Sequence, residues 1–297
     1  MVNFMRKIYV CIFVIMLIIL IVLSGCVKKE EINEENKFKI VTSFYPLYIM
    51  TLNITDGIED VTVSNMTDNN VGCLHNYSLQ AKDLKKLSKA DLFITNGLGI
   101  ETFLDKIKEE YKGLEIIETS TVELDLIKDS EGINGHIWND LDNYIEQVEV
   151  ILNTLCAENP ENTEKYTENA ENYMKKLNIL KQNSYMAKEK KTVISCNEAL
   201  AYILNDVNVQ TLEVYTDHEE SALSSEKLKE VIEEAKQSNV KAIFIEKNDD
   251  RKVAELLEKE TGAEIYELDA SLTGNMDKDA YINAMTNNYK ILRECLE

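Results

Sequence analysis

The stretch Tyr166-Thr167-Glu168-Asn169-Ala170-Glu171-Asn172-Tyr173-Met174-Lys175-Lys176-Leu177-Asn178-Ile179-Leu180 decides how the chain is organised. Tyr166, Ala170, Tyr173, Leu177 and Leu180 recur at alternating spacings of four and three, which puts them on one face of a helix. No glycine or further proline follows Pro160 until well beyond Lys188, and Asn159-Pro160 is a good helix start. The pattern predicts one helix from Pro160 to about Lys188, a stiff strut running along two bodies. A coiled-coil seam is the competing reading, but the stripe is too short to prefer it.

On either side of the strut the same grammar is written twice. Before it come short apolar runs at Phe38–Ser43, Val61–Val63, Asp91–Thr95 and Leu114–Ile117, separated by helical segments at Tyr45–Asn53 and after Ser78, a candidate cap. After it come Thr192–Ser195, Val209–Val214, Val240–Ile245 and Ala263–Leu268, with helices expected at Ser225–Gln237, Asp249–Thr261 and Asp279–Cys295. Strands alternating with amphipathic helices indicate an α/β fold: two lobes, each a mainly parallel four-stranded sheet flanked by helices, bridged by one long α-helix. The boundaries read as a signal at 1–25, a tether at 26–37, an N-terminal lobe at 38–140, a helical hairpin at 141–190 and a C-terminal lobe at 191–297.

The first residues give the compartment. Arg6 and Lys7 precede an apolar run from Ile8 to Leu23, which ends in Leu23-Ser24-Gly25-Cys26. This is the layout of a secretory signal, and the small residues before Cys26 resemble a bacterial lipobox, in which that cysteine is lipidated. An uncleaved anchor over residues 8–23 is the other reading. Either way the body of the protein lies outside the cytoplasm, tethered to a membrane. Cleavage before Cys26 removes two cations and no acids, taking the net charge from −21 to −23. So acidic a chain is no partner for nucleic acid, which needs a basic surface. Of six cysteines, Cys73, Cys156, Cys196 and Cys295 remain after the signal and Cys26, with no CxxC spacing among them.

Only three histidines occur, His75, His136 and His218. His75 follows the second strand. His136 precedes the helical hairpin in Gly135-His136-Ile137-Trp138, and His218 lies in Asp217-His218-Glu219-Glu220. Asn197 and Glu198 follow one strand of the second lobe and Asp269 follows the last. Strand-exit loops are where open α/β sheets hold ligands. Imidazole with carboxylate suits a borderline divalent ion such as zinc, manganese or iron. No two of these residues share a short ligand unit, so such a site is assembled from both lobes. HExxH and GxSxG are absent, and no general base is evident beside an open coordination position, which argues against an enzyme.

Several stretches together resemble one family, the cluster A-I solute-binding lipoproteins of bacterial zinc and manganese ABC transporters. They are Val41-Thr42-Ser43-Phe44-Tyr45-Pro46-Leu47, His75 ahead of a tyrosine and a helix, Leu87 to Gly97, His136-Ile137-Trp138, Tyr166 to Leu180, Val240 to Glu246 and Thr261-Gly262-Ala263. The resemblance implies a lipid-anchored monomer that grips a divalent transition metal between two lobes and hands it to an ABC permease. It carries the family's histidine ligands onto His75 and His136 and its late acidic ligand onto Asp269. The remaining family position falls on Asn197, an amide and a poor zinc ligand. Glu198, one residue on, and His218 are the two candidates to complete the site. Glu198 also reads as a helix N-terminal acid, Asp269 as a cap, and Trp138 as packing beside the site. Anchoring alone also fits a surface adhesion or scaffold protein, and a roomy cleft would fit a metal chelate.

Overall fold

The computed structural model describes residues 34–297 except 69–70, 73, 76, 129–131 and 216–223. The apolar run, Cys26, Cys73 and His218 therefore lie outside the described residues. The chain divides into a unit Met1–Lys37, described only from its 3₁₀ turn at Glu34–Asn36 onward, and a unit Phe38–Glu297 that holds every described strand.

In that second unit, β1 (Phe38–Thr42), β2 (Val61–Asn65), β3 (Leu92–Thr95) and β4 (Glu115–Glu118) form a sheet ordered β2-β1-β3-β4. Connecting helices are α1 (Tyr45–Ile54), α2 (Ala81–Leu87) and α3 (Leu104–Glu110). A hairpin follows, α4 (Leu141–Glu158) and α5 (Thr163–Gln182). Then β5 (Lys191–Ser195), α6 (Ala201–Asn205), β6 (Val209–Glu213), α7 (Ser225–Gln237), β7 (Ala242–Glu246), α8 (Lys252–Thr261), β8 (Glu264–Leu268) and α9 (Ala280–Leu296) build a second sheet, ordered β6-β5-β7-β8. All strand pairs are parallel, with Ile40 opposite Val63 and Leu92, and Ile243 opposite Ile194 and Ile265. Both orders reverse direction at the first strand of the lobe, so the loops leaving β1, β3, β5 and β7 gather at the carboxyl ends.

The apolar residues of β5 and β7 alternate between two cores. Val193, Ala242 and Phe244 face a cluster that runs through Trp138, Tyr144 and Tyr173 to Ile40 and Phe93 of the first lobe. Ile194, Ile243 and Ile245 face a separate cluster with Val231 and Ala235 of α7 and Leu257 of α8. One face of the second sheet therefore belongs to the same core as the first lobe.

The strut is shorter than its sequence suggests. A 3₁₀ turn takes Pro160–Asn162, and α5 spans 20 residues, or about 30 Å. It stops at Gln182 because the next segment is captured by the second lobe: Tyr185 and Ala187 are buried and the Ala187 amide donates to the Val207 carbonyl at 3.0 Å. The whole stripe Tyr166, Ala170, Tyr173, Leu177 and Leu180 is buried. Asn169 Nδ2 donates to the Ile54 carbonyl of the first lobe at 2.9 Å, and Lys176 pairs with Asp279 of the second at 2.8 Å. Between them the Tyr144 and Tyr281 rings stack at 3.6 Å. Two helix starts also differ from expectation. Gln80 rather than Ser78 caps α2, because Asp83 reaches back to the Gln80 amide at 2.9 Å. Helix α8 begins at Lys252, because the Asp249 carboxylate is already committed to Asn197.

Candidate metal centre

His75, His136 and Glu198 each sit in a loop held in place by burial or hydrogen bonds. Leu74 is fully buried, and the His75 carbonyl accepts from the Thr102 hydroxyl at 3.4 Å. The residues before His136 pass over a tight loop, where Gly97, Leu98 and Gly99 all have positive φ. Glu101 holds that loop: its carboxylate accepts from Ser43 Oγ at 2.6 Å, the Asn96 amide at 2.8 Å and the Gly97 amide at 3.0 Å. Burial pushes the Glu101 carboxyl up in pKa, and these three donors oppose the shift. Asn96 Nδ2 then donates to the Gly135 carbonyl at 3.0 Å. Gly135 must be glycine, since a Cβ there would stand 2.9 Å from Ile100 and 3.0 Å from the Leu98 carbonyl. Asn134 Oδ1 accepts from the His136 amide at 2.9 Å and lies 2.9 Å from His136 Nδ1.

In the second lobe, β5 ends in a 3₁₀ turn at Glu198–Leu200. Asn197 caps it, its Oδ1 accepting from the Ala199 amide at 2.7 Å while its Nδ2 donates to Asp249 at 2.8 Å. Three consecutive carbonyls of the turn are each held by a side chain: Asn197 by Ser195 Oγ at 3.0 Å, Glu198 by Asn134 Nδ2 at 3.0 Å and Ala199 by Asn139 Nδ2 at 2.8 Å. Two of those donors come from the first lobe and flank His136.

His75, His136 and Glu198 consequently meet, each with a ligand atom within 4.8 Å of the others. Glu198 Oε1 is 3.9 Å from His75 Nδ1 and 3.9 Å from His136 Nε2. Ligands at about 2.1 Å in tetrahedral array stand about 3.4 Å apart, so each Glu198–histidine separation is about half an ångström wider than one ion requires. Access is graded: the His136 side chain is 2% exposed, Glu198 15% and His75 27%. Trp138 backs the site, its ring 5.1 Å from that of His136 and its Nε1 donating to the Ala270 carbonyl at 2.9 Å.

Among the described candidates, Asn197 and Asp269 are not part of this group. Asn197 is spent as a cap. Asp269 accepts from the Ser271 amide at 2.8 Å and pairs with Lys247 Nζ at 3.0 Å, and it lines a cleft of about 720 Å³ with Tyr45 and Lys247. Burial first, then the charges of Asp269 and Asp277, push the Tyr45 hydroxyl up to about 12. Nearby Glu246 is 4% exposed, and burial, with the charges of Asp249 and Asp269 adding to it, pushes its carboxyl up to about 7. Sequence reasoning missed Asn134, Asn139 and Asp249. The one available signal was the position of the two asparagines on either side of His136.

Comparison with known proteins agrees with this architecture. The family model described as zinc-uptake complex component A, periplasmic (ZnuA) matches residues 40–295. The chain belongs to the ZnuA family. Within it, the chain is similar to a manganese-binding lipoprotein MntA of Halalkalibacterium halodurans, at 26% identity over 94% of this chain and 96% of that protein. It is likewise similar to the high-affinity zinc uptake system protein ZnuA of Bacillus subtilis, at 27% identity over 92% of each. The solved structure of the substrate-binding protein FpvC of Pseudomonas aeruginosa with Mn²⁺ shares the fold: TM-score 0.78, 24% identity, 88% of this chain and 98% of that one.

Proposed function

We propose that this member of the ZnuA family is an extracytoplasmic receptor, lipid-anchored through Cys26, that captures a divalent transition metal between its lobes and delivers it to an ABC permease. Zinc is the foremost cargo, with manganese and iron as the alternatives. The reading is carried by the convergence of His75 and His136 from one lobe and Glu198 from the other. Two imidazoles and one carboxylate are a donor set for a borderline divalent ion. The names of the relatives, zinc uptake and manganese binding, support the same class of cargo.

In this reading residues 1–25 are the cleaved signal, 26–37 the tether, and the lobes 38–140 and 191–297 hold the ion between them as a monomer, with the hairpin 141–190 joining them. Asp269 supplies a further oxygen once metal charge draws it from Lys247, and His218 stands as the remaining candidate. The protein binds and releases its cargo without catalysing a reaction.

The test is calorimetric titration of the metal-stripped protein with Zn²⁺, Mn²⁺ and Fe²⁺, together with elemental analysis of the protein as purified. One tight stoichiometric site, lost in His75→Ala and in His136→Ala, supports the reading. Parent-like binding by both variants, or no stoichiometric site in the parent, refutes it.

A further inference from the structure

Asn134 is 7% exposed and uses both ends of its amide across the site. The orientation of that amide follows from its partners. The backbone N–H of His136 can only donate, so the atom it meets at 2.9 Å is the Asn134 oxygen. The carbonyl of Glu198 can only accept, so the atom it meets at 3.0 Å is the Asn134 nitrogen. The ring contact of His136 then has one solution: Nδ1, 2.9 Å from that same oxygen, carries the proton. A neutral imidazole with its proton on Nδ1 bears its lone pair on Nε2, the nitrogen 3.9 Å from Glu198 Oε1.

From this geometry we infer that Asn134 is a positioning residue that sets His136 in the Nδ1–H tautomer and ties the Glu198 turn to the first lobe, so that ligands from both lobes are in place before the metal arrives. The inference rests on the metal-receptor reading for its consequence, but the tautomer is a property of the metal-free protein. The link is reinforced on both sides. The Tyr202 hydroxyl donates to the Asn134 carbonyl at 2.8 Å, and Asn139 Nδ2 holds the Ala199 carbonyl one residue beyond Glu198. The amide also differs in kind from a carboxylate at this place. It orients the imidazole without adding negative charge, and as donor to Glu198 it does what no carboxylate does.

Two substitutions separate the two ends. Asn134→Ala removes both, while Asn134→Asp keeps an acceptor for Nδ1–H and removes the donor to Glu198. Long-range ¹H–¹⁵N correlation spectra of metal-stripped protein, recorded at a pH where imidazole is neutral, are expected to show His136 as the Nδ1–H tautomer in the parent and in Asn134→Asp. In Asn134→Ala the Nε2–H form gains population. Zinc affinity is expected to fall about 10–100-fold in Asn134→Ala. Retention of the Nδ1–H tautomer in Asn134→Ala would overturn the inference, as would an affinity equal to the parent's. A lowered melting temperature with an unchanged tautomer would reduce Asn134 to a structural residue and also overturn it. If the parent itself binds no metal, the receptor reading fails, and the spectra still decide the tautomer.

Discussion

Glu198 and His136 come from different lobes, yet Glu198 Oε1 stands 3.9 Å from His136 Nε2. The same oxygen stands 3.9 Å from His75 Nδ1, so one carboxylate addresses both rings. Its neighbour Asn197 points the other way, into the cap of the turn and onto Asp249. The two adjacent residues should therefore respond oppositely to substitution. Glu198→Gln keeps the shape, removes the charge and is expected to weaken zinc binding by at least about tenfold. Asn197→Ala should instead cost about 1 kcal/mol of stability through the lost cap. Calorimetry and urea unfolding of the pair distinguish these roles. The reverse ranking would make Asn197 the ligand.

Imidazole binds a metal only through an unprotonated nitrogen, so protons and metal compete for His75 and His136. Affinity is expected to be flat at pH 8 and to fall as pH drops through the ordinary histidine range near about 6.5. Two participating rings make the fall approach two logarithmic units per pH unit at the acid end. A competition titration with a chromophoric chelator at successive pH values measures that slope. A pH-independent affinity between 5 and 8 would remove the histidines from the site.

The lobes were legible in the sequence because buried parallel strands are uninterrupted apolar runs. Leu92–Thr95 and Ala242–Glu246 are buried at every position. His75 and His136 drew attention because histidine is rare here, the first following the second strand and the second preceding the helical hairpin. The choice between Asn197 and Glu198 was not, because adjacent residues on a 3₁₀ turn diverge and the bonds that aim them come from Asn134, Asn139 and Asp249. The partner of Asp269 was hidden for a similar reason. Glu246 lies opposite Leu268 in the sheet register, so Lys247 leaves β7 beside Asp269 leaving β8, though 22 residues separate them. The end of α5 was overshot because nothing local stops it, only the capture of Tyr185 and Ala187.

Trp138 is fully buried between Phe44, whose ring is 4.9 Å away, and His136. Its carbonyl accepts from the Tyr281 hydroxyl at 2.8 Å, and its indole N–H holds the Ala270 carbonyl next to Asp269. Trp138→Phe keeps an aromatic ring but leaves the Ala270 carbonyl without that donor, a loss of about 1–3 kcal/mol. Chemical denaturation should show that loss in the metal-free protein. A variant as stable as the parent would mean that the indole bond contributes nothing.

Asp140, the cap of α4, and Asp206, which follows α6, are two carboxyl groups that act on each other across the lobe boundary. Two carboxyl groups so placed cannot both ionise without cost, so the pair is expected to share a proton in the native state. Burial first, then the Asp140 charge and hydrogen bond, push Asp206 up to about 8, with Asp142 adding to the shift and Lys181 opposing it. Burial raises Asp140 as well, against the Asn143 amide that it caps at 2.7 Å. A carboxyl whose folded pKa exceeds its unfolded value near about 4 binds more protons in the native state. Its stabilising contribution is therefore complete below pH 4 and is lost as pH rises through about 8. Asp206→Asn replaces the shared proton with a permanent amide donor to Asp140. Thermal melts should show the variant's advantage over the parent growing from pH 5 to pH 9, by about 2–4 °C for each kcal/mol recovered. If the difference in melting temperature is the same at both ends, the pair does not share a proton in the native state.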